Sequence, residues 1–107
     1  MYPLVKNDTA PQIKATITRD DTGNVVDMTG ATVRLKFRKR ATTTVLFTLT
    51  ANTDVNNLSN GIAIFTFGAG NLDVDEGYYE GEIEITYSNS TVETIYEVLD
   101  FHVRGDF

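Results

Sequence analysis

The feature that most constrains this chain is alternation. Apolar and polar residues exchange places with period two along most of its length, and helical spacing is hard to find. Gln12 to Arg19 sets Ile13, Ala15 and Ile17 on one face and Lys14, Thr16 and Thr18 on the other. Thr32 to Lys39 repeats the pattern, with Val33, Leu35 and Phe37 inward and Arg34, Lys36 and Arg38 outward. Thr44 to Thr50 alternates Val45, Phe47 and Leu49 with threonines and Leu46, and Tyr78 to Tyr87 alternates Tyr79, Ile83 and Ile85 with Glu80, Glu82 and Glu84. Successive strand side chains point to opposite faces, so each segment reads as a strand with one buried side.

Two segments depart from the simple pattern. Gly61 to Phe67 is apolar on both parities, Ile62 and Ile64 interleaving with Ala63, Phe65 and Phe67, which predicts a central strand or one whose outer face is covered. Thr91 to Val103 begins with Val92, Thr94 and Tyr96 in one parity and ends with Leu99, Phe101 and Val103 in the other. A strand cannot change face without an extra residue, so a bulge or break is expected near Glu97-Val98.

The connections carry turn chemistry. Asp20-Asp21-Thr22-Gly23-Asn24, Ser59-Asn60-Gly61 and Ser88-Asn89-Ser90 each supply the residues of tight turns. Asn52 to Asn60 reads as a longer surface loop, and Gly70 to Glu76 is the one candidate for a short helical or 3₁₀ turn. About seven short strands with turns between them predict an all-β fold, a sandwich or small barrel. At 107 residues there is material for one core, so residues 1–107 form a single domain, with 1–10 an N-terminal arm and 104–107 a C-terminal tail.

Composition narrows the function. With no cysteine there is no disulfide and no thiolate nucleophile or metal ligand, and the compartment stays open. Met1 to Lys6 lacks the apolar core of a signal peptide, and no window approaches the run of about 18 apolar residues that spans a bilayer. A net charge of −6 argues against sequence-independent nucleic-acid binding and against docking on anionic membranes.

Several phrases in succession resemble one family. They are Asp8-Thr9-Ala10-Pro11, then Asp20 to Asp27, then Asp27-Met28-Thr29-Gly30-Ala31-Thr32-Val33, then Glu76-Gly77-Tyr78-Tyr79, and finally Asp100-Phe101-His102-Val103-Arg104. This order resembles the immunoglobulin-like domain at the N-terminus of tailed-phage baseplate upper proteins, over roughly residues 8 to 107. The resemblance implies an immunoglobulin-like β-sandwich. It also implies a structural component of a virion assembled in the host cytoplasm, an adaptor or decoration module whose partners are tail, baseplate or capsid proteins. The trimerisation and receptor-carrier regions of baseplate upper proteins have no counterpart in this sequence. Independently of the resemblance, Asp27 and Thr29 can bond to neighbouring backbone in a turn, and Gly30 can take positive φ before a strand begins.

Catalytic chemistry is hard to assemble from these residues. His102 stands between Phe101 and Val103 in a strand, with no serine, cysteine or second histidine placed to form a triad. Glu80, Glu82 and Glu84 repeat about 7 Å apart along one strand face, which reads as solvated like charges rather than an acid and a base in unlike environments. Asp73, Asp75 and Glu76, and separately Asp20, Asp21, Asn24 and Asp27, offer oxygens to calcium, but neither has EF-hand spacing. Arg104-Gly105-Asp106 is a three-residue integrin-type match in the tail, short enough to arise by chance. The expectation is therefore no enzyme, no metal and no cofactor. A carbohydrate-binding or host-adhesion module is the alternative, with Tyr2, Tyr78, Tyr87, Tyr96 and Phe107 as its loose aromatic candidates.

Charge patterning supplies the partner-binding candidates: Arg34, Lys36, Arg38 and Arg40, with Glu80, Glu82 and Glu84. Five of the nine cations crowd Arg34 to Arg40, while six anions crowd Asp73 to Glu84. The plain reading is a solvated basic strand beside an acidic one. The other is a pair of strips on different edges through which copies join as homo-oligomers or dock on larger proteins. On that second reading, reversing Arg34, Lys36 and Arg38 to glutamate leaves the fold intact and disturbs assembly.

Overall fold

A computed structural model describes residues 2–8, 11–18, 22–52, 54–94 and 98–105. The fold is all-β, and the described residues form eight strands in two sheets and one short helix: β1 (Tyr2–Val5), β2 (Gln12–Thr16), β3 (Thr32–Lys39), β4 (Val45–Thr50), α1 (Val55–Ser59), β5 (Ile62–Thr66), β6 (Gly77–Thr86), β7 (Val92–Thr94) and β8 (Leu99–Arg104). The larger sheet runs β1-β8-β6-β3-β4, with β7 also beside β6, and the smaller is the antiparallel pair β2-β5. All pairings are antiparallel except β1 with β8, which is parallel.

The alternation delivers the core. Ile13, Ala15, Ala63 and Phe65 from the small sheet lie buried with Val33, Leu35, Phe37, Tyr79, Ile83, Ile85, Phe101 and Val103 from the large one. Phe37 is the hub, stacked on Phe47 at 4.6 Å and Tyr79 at 5.1 Å, with the edge of Phe67 at 6.0 Å. Packed ring pairs of this kind contribute about 0.5–1.5 kcal/mol each beyond their burial. Room for the cluster comes from Gly81, the inward position between Tyr79 and Ile83. A Cβ there would lie 2.6 Å from Leu35 Cδ1 and 2.8 Å from Phe101 Cε2.

The turn before β3 forms as its residues dictate. Asp27 Oδ1 accepts from the Thr29 backbone N–H at 3.0 Å and from Thr29 Oγ1 at 2.6 Å, while Gly30 has φ of 75°. These two bonds to the charged form hold the Asp27 carboxyl below its ordinary value. Ser88-Asn89-Ser90 closes the β6–β7 turn, with Ser90 N donating to Tyr87 O at 2.9 Å.

Several expectations are corrected. Residues 2–5 are not an arm but β1, whose backbone pairs Leu4 with Val103 and buries Leu4. Pro3 is tolerated because β1 is an edge. At the other end Arg104 is the last residue of β8 rather than the start of a tail. The Asn52 to Asn60 stretch is not all loop, since Asp54 caps α1 by accepting from Asn56 N at 2.9 Å and Leu58 drops into the core. Gly70 to Glu76, in contrast, is turns and bends without a helix. For Gly61 to Phe67 the second alternative holds: among the described residues β5 pairs with β2 alone, and Ile62 and Ile64 on its outer parity are half-buried.

The remaining corrections concern parity. In β4 the register slips between Phe37 and Arg38, so Val45 rather than Leu46 faces Arg38, and Val45 is turned out to solvent. In β7, Val92 faces Thr86 and Thr94 faces Glu84, which puts both on the outer side. The expected break at Glu97-Val98 falls partly outside the described residues, as Glu97 is not among them. The flanking pairs show a slip all the same: three residues separate Gly81 from Glu84, but five separate Thr94 from Leu99. Two extra residues preserve parity, so no change of face occurs.

Candidate functional site

The seven charged residues singled out in the sequence come together on the outer face of the large sheet. Antiparallel pairing of β3 with β6 sets Arg34 opposite Glu84, Lys36 opposite Glu82 and Arg38 opposite Glu80. The side chains lean to diagonal as well as direct partners. Lys36 Nζ lies 2.8 Å from Glu84 Oε2, and Arg38 lies 3.1 Å from Glu80 and 3.5 Å from Glu82. Diagonal neighbours across strands are within reach of side chains this long. Glu80 also accepts from the Ala41 backbone N–H at 3.3 Å.

This geometry corrects two expectations. Glu80, Glu82 and Glu84 are not freely solvated like charges, because each is half-buried against a cation. The basic and acidic strips do not occupy different edges either. They are adjacent strands of one face, where Lys36, Arg38 and Arg40 are ion-paired within the molecule while Arg34, in register with Glu84, is exposed.

The ladder continues past the predicted residues. Arg40 reaches Asp100 at 3.6 Å and lays its guanidinium over the Tyr78 ring at 4.6 Å. Across the β6–β8 pair, His102 stacks on Tyr78 at 4.6 Å and 13°. Asp100 and the His102 stack were missed in the sequence because only the β6–β8 register sets Asp100 opposite Glu80 and His102 opposite Tyr78. The available signal was parity: with Phe101 inward, Asp100 and His102 had to face out.

The aromatic candidates for a sugar platform are dispersed. Tyr78 is 46% exposed, but Arg40 lies over its ring and His102 stacks on it. Tyr2 stacks on Phe101 at 5.4 Å, and the Tyr87 hydroxyl donates to Glu93 at 2.7 Å. Tyr96 and Phe107 lie outside the described residues, as do Asp20, Asp21 and Asp106 of the acidic turn and the tripeptide. Among the described residues no cluster of three carboxylate or imidazole groups is placed to hold a metal ion.

The Tyr79 hydroxyl reaches back to the Asp75 carbonyl oxygen at 2.5 Å, tying the start of β6 to the loop before it. Burial raises the phenol pKa, and the Asp75 carboxylate adds to the rise. Beside this bond lies a shallow open recess lined by Lys6, Lys39, Leu46, Asp73, Val74, Asp75 and Tyr79. Its charges are mixed in sign, and no nucleophile with an adjacent base lines it. Comparison with family models, curated proteins and solved structures finds no match to this chain.

Proposed function

We propose that this chain is a non-catalytic, immunoglobulin-like structural module of a tailed-phage virion, an adaptor or decoration domain that docks on tail, baseplate or capsid protein. The observation that carries the fold half of this reading is the Tyr79 bond at the start of β6. Immunoglobulin-like sandwiches carry such a tyrosine corner near the start of their sixth core strand, its hydroxyl bonded to backbone a few residues upstream. Strand order agrees. With β2, β3, β5, β6 and β8 read as B, C, E, F and G, the large sheet contains G-F-C and the small one B-E, and β4 extends the sheet beside C. The virion half rests on the succession of phrases from Asp8 to Arg104.

Docking through strand edges and loops suits this surface better than pocket chemistry, since the charged face is internally paired. The test is immunogold electron microscopy, with mass spectrometry, on particles of the tailed phage that encodes the chain. A fixed, stoichiometric location on the particle supports the reading. Abundant chain in the lysate and none on purified particles overturns it.

A further inference from the structure

The strand edges of this domain are unequally guarded. β1 carries Pro3, whose missing N–H blocks pairing, and is followed by Lys6. β2 carries Lys14 and β7 carries Glu93. The carbonyl of Ile64 on β5 is already taken by Asn52 N at 2.9 Å. β4 has none of these devices. Ala41 to Asn52 holds no charged residue, in a chain where charged residues make up 22%. The bulge at Leu46 limits the regular part of the edge to Phe47–Thr50, and among the described residues no strand pairs with that part beyond β3.

The ladder shows which groups point outward. Ala51 N donates to Val33 O at 2.8 Å, and the β3–β4 register steps on to Leu35 with Leu49 and Phe37 with Phe47. Antiparallel pairs alternate between bonded and non-bonded, so the N–H and C=O of Thr48 and Thr50 face away from β3.

We infer that this edge pairs with the same edge of a second copy, antiparallel about a twofold axis at Leu49, with Thr48 of each copy opposite Thr50 of the other. The strand is self-complementary in this register. Opposed threonines form a favourable cross-strand pair, and no like charges meet. Pairing with the chain's other edges would instead meet Pro3, Lys14 or Glu93. The contact is isologous and consumes the edge, so assembly stops at a dimer. A four-residue edge lies at the small end of protein interfaces, so the dimer is weak and forms at micromolar to millimolar protein. The inference does not depend on the virion reading.

The test is sedimentation velocity over a concentration series on the wild type, Thr48→Glu and Thr50→Glu, with thermal melts alongside; each glutamate stands in register with a cation of β3, Lys36 or Arg34, and so spares the fold. Concentration-dependent dimerisation, lost in both variants while their melts stay close to wild type, is the expected result. A wild type that stays monomeric at millimolar concentration, or folded variants that dimerise equally well, overturns the inference. Should the glutamates unfold the strand, cross-linking decides. The chain has no cysteine of its own, and opposed residues in a bonded antiparallel pair lie about 5.5 Å apart between Cα atoms, within disulfide range. Mixing Thr48→Cys with Thr50→Cys then yields the mixed disulfide in preference to either homodimer, and a statistical mixture of the three overturns the proposed register.

Discussion

Arg38 is the residue through which the charged ladder can be weighed. Its guanidinium bridges Glu80 at 3.1 Å and Glu82 at 3.5 Å, and its side chain is 22% exposed. Exposed ion pairs contribute about 0.2–1 kcal/mol each. Two contacts from one planar, half-buried fork therefore come to about 1–1.5 kcal/mol. Arg38→Glu removes both and sets a third carboxylate among Glu80 and Glu82, where opposed like charges cost about as much again. The expected loss is about 2–3 kcal/mol, or on the order of 10–20 °C in melting temperature for a domain of this size. Urea unfolding followed by circular dichroism measures it. Two controls separate charge from packing: Arg38→Met keeps the apolar stem and loses about half as much, and the swap Arg38→Glu with Glu80→Arg recovers a good part of the loss. The penalty shrinks in 1 M salt, where screening reaches about 3 Å. If Arg38→Glu stays within about 0.5 kcal/mol of wild type, the range of ordinary surface changes, the ladder contributes nothing and the argument fails. The same reasoning corrects the expectation that a triple reversal of Arg34, Lys36 and Arg38 spares the fold. Each new glutamate would face Glu84, Glu82 or Glu80 in register.

Three further outcomes follow from the packing and the turns. Gly81→Ala places a methyl against Leu35 and Phe101 and costs about 1–3 kcal/mol by overpacking, read as a lower urea midpoint with an unchanged slope. Leu58→Ala opens a void beneath α1 and costs about 2–4 kcal/mol in the same assay, whereas exposed Asn56→Ala costs under about 0.5. Asp27 titrates below its ordinary value of 3.8 when folded, so its contribution is present above that pH and is lost as pH falls through the folded value. The stability gap between wild type and Asp27→Asn should accordingly narrow as pH falls below 3.8, and a gap that stays constant down to acid unfolding would refute the Asp27–Thr29 assignment.

How much of this was legible in the sequence depends on whether the deciding signal was local. Ile13, Val33, Leu35, Phe37, Ile83 and Phe101 were placed inward by parity alone, and they are buried. Asp27-Met28-Thr29-Gly30 was readable because an Asx turn is closed within three residues. β1 was not, since its partner β8 lies at the other end of the chain and four residues carry little pattern. α1 was hidden for another reason: Leu58 sits among asparagines that read as loop, and the cap at Asp54 is the only local cue. At Val45 and Val92 parity misled for different reasons: the bulge in β4 changes which residues share a face, whereas β7 keeps the parity of β8 and so leaves the apolar Val92 on the outer side. Seven of the eight charged residues of the ladder were identified and Asp100 was missed, but whether they face a partner or each other depends on the β3–β6 register, which composition does not carry.

That register also separates the two ways copies of this chain can meet. The ladder holds four of the nine cations (Arg34, Lys36, Arg38 and Arg40) and four of the fifteen anions (Glu80, Glu82, Glu84 and Asp100), so its face is neutral. Five cations and eleven anions remain elsewhere, and the net charge of −6 lies outside the ladder. In the proposed pairing, β3 of one copy and β3 of the other stand three strand spacings apart, about 14 Å. That exceeds the screening length of about 8 Å at physiological ionic strength. Edge pairing through Thr48 and Thr50 should therefore be nearly indifferent to salt, or strengthen slightly as the net negative charge is screened. Docking through the charged rows would weaken instead, since salt removes the attraction that holds it. Sedimentation at 50 mM and 500 mM sodium chloride distinguishes the two. A dimer that dissolves at the higher salt would sink the β4 edge and return the charged face to consideration as the contact.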